Sequence, residues 1–281
     1  MPEGDTVWNT ARQLRTELAG SRLTGTDFRV PTLATTDLAG WTVLDCASRG
    51  KHLLLRLAAP DGHRRLTLHS HLRMDGSWRT YRNGQRWSDQ PAHLVRVVLR
   101  TARTVAVGYH LHDLALVDSA READLTGHLG PDLLGEDWNA EEAVRRLRGQ
   151  PDTSIEDALR DQRNLAGIGN VYACELLFLR GLAPGTPVAA VRDLPALVGL
   201  AHRLLRANRG RTRRSVTGLP REPTYVYGRA GRPCRRCGTP IRTSDASGRI
   251  TYWCPLCQPD RGPGAARPDL RRPPAAGHPP R

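Results

Sequence analysis

The sequence is almost without lysine. Of its 42 lysine and arginine residues 41 are arginine, and Lys51 stands alone among 281 positions. Such a bias fits a GC-rich coding sequence in which any lysine that arginine can replace has been replaced. Lys51 is therefore read as a residue whose amine is chemically required, because only lysine carries a compact amine able to give up its proton; the alternative is survival by drift. Long apolar runs are missing too. Nothing approaches the roughly 18 consecutive apolar residues of a membrane span, so no membrane partner is expected. The start, MPEGDTVWNT, lacks the basic-then-apolar pattern of a secretory signal, and the expected location is the cytoplasm. Cysteine is scarce. Six in a cytoplasmic chain point to metal ligation or free thiols and away from a disulfide framework.

What is present describes a soluble globular chain, with 39% hydrophobic and 25% charged residues over a length that suits two medium domains. The formal charge of +14 is uneven. Residues 1–200 carry 24 basic and 24 acidic groups, whereas residues 201–281 carry 18 arginines against Glu222, Asp245, Asp260 and Asp269. A basic final third is the footprint of a reader of phosphate backbones, although a basic disordered tail inflates it as well.

Val7, Ala11, Leu14 and Leu18 recur at three and four residues and predict a helix that anchors the first residues. From about Arg22 to Val117 the pattern becomes short alternating runs (WTVLDCAS, HLLLRL, RRLTLHS, HLVRVVLR, TVAVGYH) between Gly, Pro and Asp turns, which predicts a β-sandwich or barrel of about eight strands. The helical period returns with Trp138, Ala143, Val144 and Leu147 on one face, then near 154–161, 170–180 and 192–207. Residues 225–258 read as a β-hairpin with four cysteines. The expected class is α+β: an N-terminal catalytic sandwich over 2–118, a helical domain over 130–222, a zinc finger over 225–258 and a disordered Pro/Gly/Arg-rich tail over 259–281.

Cys234-x2-Cys237 and Cys254-x2-Cys257 have the paired-knuckle spacing of a closed, tetrahedral, structural zinc site. Cys46 and Cys174 lie in apolar runs and read as core thiols. Arg249 precedes the returning strand TYWC in a hairpin that also holds Arg235, Arg236 and Arg242. An arginine fork on a stiffened hairpin suits phosphate capture, while a solvated charge is the alternative. Leu165-Ala166-Gly167-Ile168-Gly169-Asn170 leads into a helical run, with Asn170 read as its N-cap and the following N–H groups as an anion cradle; a plain turn has the same signature. The pairs His69/His71 and His110/His112 resemble metal ligands on a strand face, but no carboxylate or cysteine partner is obvious, and structural histidines are the alternative. Finally, once Met1 is removed Pro2 offers a secondary α-amine, far more available near neutral pH than a lysine amine. On attacking a sugar C1′ it gives a permanently charged iminium, an electron sink, with Glu3 beside it as an acid or base.

Taken in order, PEG at 2–4, SRGK at 48–51, HSHLRMDGSW at 69–78, HLGPDLL at 128–134, DQRNLAGIGNVYACELLFLRG at 161–181, VYGRAGRPCRRCGTPI and GRITYWCPLCQ resemble the formamidopyrimidine-DNA glycosylase / endonuclease VIII family. The resemblance spans residues 2–258. It implies a helix and two-layer β-sandwich, then a helix-two-turn-helix domain ending in a zinc finger that holds one structural Zn2+, with DNA between the two domains. It implies a bifunctional glycosylase and apurinic/apyrimidinic lyase of base excision repair, a bacterial monomer that joins the nucleoid when bound to double-stranded DNA carrying oxidised bases or abasic sites. Pro2 is then the Schiff-base nucleophile, Glu3 the acid acting on the sugar ring, and Lys51 the proton donor of β-elimination. Asn170 and Arg249 hold phosphates, Arg249 serves δ-elimination, Met74 enters the base stack, and Arg73 and His93 add DNA contacts. PEG, and His110-Leu111-His112-Asp113 in place of an Arg-x-Phe-Gly segment, look like the endonuclease VIII branch and favour oxidised pyrimidines, whereas Met74, HLGPDLL and VYGR look like the formamidopyrimidine branch. Asp5-Thr6 stands where the family usually has Pro-Glu, and His128 where some relatives have Arg. These departures keep two other readings open, a non-catalytic zinc-finger protein that binds damaged DNA and a lyase confined to abasic sites.

Overall fold

The computed structural model describes residues 2–87, 90–245 and 248–260, and the tail expected to be disordered falls almost wholly outside them. The chain divides into two units. The first holds the residues through 139 together with 165–167 and 205–211; the second holds 140–164, 168–204 and those from 212 onward.

In the first unit, α1 (Gly4–Leu18) forms because Val7, Ala11, Leu14 and Leu18 share one buried face. Gly20, at φ 77°, ends it with a left-handed turn that glycine adopts without strain. Eight strands follow: β1 (Leu23–Phe28), β2 (Thr42–Arg49), β3 (His52–Ala58), β4 (Arg65–His71), β5 (Ser77–Arg82), β6 (Val95–Thr101), β7 (Thr104–Tyr109) and β8 (Asp113–Asp118), with a short helix α2 at Glu122–Thr126. They make two antiparallel four-stranded sheets, ordered β2-β3-β4-β8 and β1-β6-β7-β5. Period-two alternation sends Leu53, Leu55 and Leu57 of β3 into one core with Val97 and Leu99 of β6 and the apolar face of α1. Each such leucine removed from water contributes about 1.5–3 kcal/mol. The second sheet is apolar on its other face as well, where Val95, Val98, Val105, Val107 and Tyr109 cluster with Tyr81. Alternation along β6 sends Val98 to this face and Val97 and Leu99 to the other, and a register shift between Val95 and Val97 turns Val95 to the side of Val98.

The second unit contains α3 (Ala140–Arg148), α4 (Ile155–Arg160), α5 (Asn170–Arg180) and most of α6 (Leu194–Asn208), then the hairpin strands β9 (Arg242–Ser244) and β10 (Thr251–Trp253). Trp138 precedes α3 and does not share its buried face, which Ala143, Val144 and Leu147 supply. Ser154 caps α4 by accepting from the Asp157 N–H. α5 is buried over Asn170–Phe178 and ends at Gly181, at φ 65°. Glu175 is fully buried in α5, and its carboxylate accepts the N–H groups of Tyr225, Val226 and Tyr227 at 2.8–2.9 Å. Burial pushes this carboxyl up from the usual range, and the three donors oppose that shift. Among the described residues no helix is long and apolar enough to cross a membrane.

Glu175→Ala leaves the buried Val226 N–H and the half-buried Tyr225 and Tyr227 N–H groups without their acceptor, so we expect a stability loss of about 3 kcal/mol in urea unfolding, only partly restored by Glu175→Gln.

Candidate active site and nucleic-acid interface

In the first unit the chemistry-bearing residues hang on one dipeptide, Ala166-Gly167. The Gly4 N–H donates to the Gly167 carbonyl at 2.9 Å, and a Cβ on Gly4 would stand 2.9 Å from the Gly167 Cα. Two backbones therefore touch where no side chain fits. The contact fixes the first turn of α1 and the two residues before it, with Pro2 half-buried and Glu3 fully buried. Glu3 has extended backbone, and its side chain makes no cap to α1. Asp5 follows it as a second buried carboxylate.

Lys51 occupies the turn between β2 and β3, where Arg49 pairs with His52 and Gly50 takes φ 56°. Gly50 donates to Asp132 Oδ2 at 2.8 Å, and Asp132 Oδ1 accepts from Leu134 at 3.0 Å. The backbone around Asp132 is in turn joined to Ala166, which donates to Pro131 and accepts from Leu133. A Cβ on Gly50 would come within 2.9 Å of the Ala166 Cβ. The turn that presents Lys51 and the segment that carries Pro2 and Glu3 thus rest on neighbouring residues of one short strip.

Behind Lys51 lies a histidine cluster. His52 Nδ1 is 2.9 Å from His69 Nε2, and the His52 ring meets the edges of His71 and His128. Burial first, and then the charges of the other histidines, pushes His52 down to about 3. Burial also lowers His69 and brings His71 to about 4, with Arg73 and Lys51 adding to the latter shift. These imidazoles are neutral at neutral pH. His69 and His71 lie on β4, with Asp113 opposite His71 on β8, and among the described residues they form no cluster of three donor atoms close enough to hold a metal ion.

Met74 projects from the β4–β5 loop with 66% of its surface exposed. Its neighbour Arg73 takes φ 49° and is tied to Asp113. His93 sits on an exposed 3-10 turn at Ala92–Leu94. The second His-x-His pair is not on a strand: His110 and His112 lie between β7 and β8, and both reach Asp75, the carboxylate partner that sequence reasoning did not find.

In the second unit Asn170 does not cap α5. Gly169 occupies the cap position, and the Asn170 side chain, one residue inside the helix, is engaged elsewhere. Its Oδ1 accepts from Arg160 at 3.0 Å, and its Nδ2 donates to the Ile250 carbonyl at 2.8 Å. That second bond brings Asn170 beside the hairpin residue that follows Arg249. Arg249 itself is exposed, and its charge helps to lower Asp157, whose largest perturbation is the opposing effect of burial. Arg160 is buried with Glu156, Asp157 and Asn170 around it.

Cys234, Cys237, Cys254 and Cys257 converge at the hairpin, with Sγ–Sγ distances of 3.9, 3.4 and 3.4 Å for the pairs 234–257, 237–254 and 237–257. Four thiolates about 2.3 Å from one zinc ion stand about 3.8 Å apart, so the donors present fit one tetrahedral structural Zn2+. Cys174 and Phe178 of α5 pack against this knuckle with Val226 and Ile241. Arg236 lies over the Phe178 ring at 4.4 Å.

Three family models cover most of the chain: the formamidopyrimidine-DNA glycosylase N-terminal domain over residues 1–121, the formamidopyrimidine-DNA glycosylase H2TH domain over 129–205, and the zinc finger found in FPG and IleRS over 231–259. The chain belongs to the formamidopyrimidine-DNA glycosylase / endonuclease VIII family. Among relatives of this glycosylase-family protein, a probable endonuclease 8 2 of Streptomyces coelicolor is 54% identical, over 94% of this chain and 96% of that one. The DNA-(apurinic or apyrimidinic site) lyase Nei2 of Mycolicibacterium smegmatis is 45% identical, over 92% and 99%. Endonuclease 8 of an Escherichia coli strain is 33% identical, over 92% and 100%. The Lactococcus lactis Fpg in complex with abasic-site DNA shares the fold, with a TM-score of 0.76 at 24% identity, covering 92% of this chain and all of that one. For this family member, sequence reasoning gave Asp132 and Ala166 no structural task and read Gly167 only as part of a tight turn, and it missed Arg160 as the partner of Asn170.

A histidine whose pKa falls on folding is neutral in the folded chain while the unfolded chain takes up protons. Its contribution to stability is complete above about pH 6.5 and is lost as pH falls toward 4. Urea midpoints should therefore drop over that interval, and His52→Gln should flatten the drop. Metal removal by a thiol-competing chelator, or Cys254→Ser, should unfold the hairpin and expose its packing against α5, read as a shift in tryptophan fluorescence from Trp253 and a lower melting temperature.

Proposed function

We propose that this chain is a bifunctional DNA glycosylase and apurinic/apyrimidinic lyase of base excision repair, acting on oxidised bases with pyrimidines favoured. The observation that carries the reading is the shared support of two amine-bearing segments: Pro2-Glu3 on Gly167 through Gly4, and the Lys51 turn on Ala166. The Pro2 amine, freed by loss of Met1, attacks C1′ of the damaged nucleotide as the base departs with the electrons of the glycosidic bond. Glu3 protonates the opening sugar ring, which leaves a cationic iminium on Pro2. The iminium draws electrons from the adjacent C2′–H bond as a base takes that proton, the C3′–O bond breaks with its electrons on the 3′ phosphate, and Lys51 donates a proton to the departing oxygen. A second elimination releases the 5′ phosphate. In the second unit Asn170 and Arg249 supply phosphate contacts, with Arg249 serving the second elimination. Met74, the exposed apolar residue of its loop, fits a wedge that fills the stack when the nucleotide flips out and offsets part of an unstacking cost of a few kcal/mol. Arg73 and His93 add contacts to the same strand region. The protein acts as a monomer in the bacterial cytoplasm.

Borohydride should trap the mature protein covalently on duplexes carrying thymine glycol, 5-hydroxycytosine or an abasic site. Pro2→Gly should slow trapping steeply, and a form that keeps Met1 should bind DNA but form no adduct. Lys51→Ala should reduce strand cleavage about 100-fold while affecting binding less. Adducts on abasic sites alone would replace the glycosylase with a lyase, and no adduct on any of the three would leave a DNA-binding protein without catalysis.

A further inference from the structure

His110 and Arg73 are the only non-glycine residues among those described with a left-handed backbone, at φ 51° and 49°. That conformation is disfavoured for a residue with a Cβ and persists where the surroundings impose it. At His110 the imposed bend is pinned by its N–H, which donates to the Leu94 carbonyl at 2.9 Å. The bend sets the imidazole against Asp75. His110 Nδ1 stands 3.2 Å from Asp75 Oδ2, and His112 Nε2 stands 3.3 Å from Asp75 Oδ1. One donor atom from each of the three residues lies within 4.8 Å of the other two.

These separations are long for a charge-assisted N–H···O bond, which favours about 2.7–2.9 Å. Each is close to the edge, about 3.3–3.4 Å, of a tetrahedron whose nitrogen and oxygen corners lie about 2.05 Å from a zinc ion, and because the two run to different Asp75 oxygens the carboxylate would turn to present one of them to a shared ion. Two imidazoles and a carboxylate are also a donor set that borderline divalent transition metals accept, with positions left for water. Asp75 and His112 keep about half of their side-chain surface exposed, at 51% and 56%, so an ion can enter without unfolding either loop. The neighbouring His52 cluster does not compete on these terms, because its closest nitrogens already bond to each other, its nearby carboxylate Asp113 is taken by Arg73, and among the described residues it brings no three donor atoms together.

We propose that Asp75, His110 and His112 bind one divalent transition-metal ion of the zinc class, separate from the four-cysteine site. The ion joins the β4–β5 loop, which carries Met74, to the β7–β8 loop. Bound there, it stiffens the base of the loop that the functional reading above assigns to the wedge; the binding itself is independent of that reading and is measured without DNA.

The test uses the full chain with its structural zinc in place, dialysed to one zinc per chain and titrated calorimetrically with Zn2+ alone. A second equivalent is expected, bound more weakly than the first. His112→Ala should weaken that second binding at least tenfold, and His110→Gly, which suits the left-handed backbone, should do the same. Both variants should keep the first zinc and the wild-type melting temperature. Absence of a second equivalent from the wild-type protein overturns the proposal, as does a second equivalent of unchanged affinity in a folded variant.

Discussion

The first unit depends on a place where two stretches of main chain meet without side chains between them. Gly4 lies against the Gly167 main chain, and next to it Gly50 lies against the Ala166 methyl group; an added Cβ would come to 2.9 Å in each case. Their effect is to convert flexible segments, a chain start and a two-residue turn, into parts of a rigid frame. An N-terminal amine is ordinarily the least ordered group of a protein. Here the residues after Pro2 are locked by α1 packing on one side and by a backbone hydrogen bond on the other, so the proline proposed as nucleophile and the carboxylate of Glu3 inherit the order of the sandwich core. Asp132 has the corresponding task at the Lys51 turn, where a buried carboxylate accepts two N–H groups and holds the loop to the same strip.

The second unit reaches order by a different route. Its hairpin has too little apolar surface to fold by burial alone, and four thiolates around a metal replace the missing core. Order then passes into α5 through Cys174 and Phe178, and through Glu175, which gathers three consecutive N–H groups of the approach to the hairpin. Asn170 and Arg160 form a second link at the start of α5, by way of the Ile250 carbonyl and the Glu156–Thr251 bond. The arginine expected to meet phosphate thus stands just before a strand that is held at its start through Ile250 and Thr251 and followed directly by Cys254 of the knuckle.

Much of this was legible in the sequence, for identifiable reasons. Alternation in HLLLRL and TVAVGYH reports strands because one face of each must be buried. The spacing of Val7, Ala11, Leu14 and Leu18 reports a helix, and the cysteine spacing reports a metal, because local geometry decides each of them. What remained hidden was set by partners far away along the chain. Asn170 has the right chemistry for a cap, but Arg160 and Ile250 claim its side chain, and spacing carries no trace of that. Asp75 lies 35 residues before His110, so the pair His110/His112 looked partnerless until the loops were folded together. Trp138 fits the helical period of α3 yet precedes its first turn, because periodicity does not mark where a helix begins.

The solitary Lys51 has one more consequence. With every other basic side chain a guanidinium, the ε-amine at the β2–β3 turn is the only side-chain target for reagents and enzymes that acylate, alkylate or conjugate lysine. In most proteins such modification is diluted over many surface amines, and its functional effect is averaged away. In this chain it is addressed to a single half-buried turn, so the extent of lysine modification and the state of that turn are one and the same quantity.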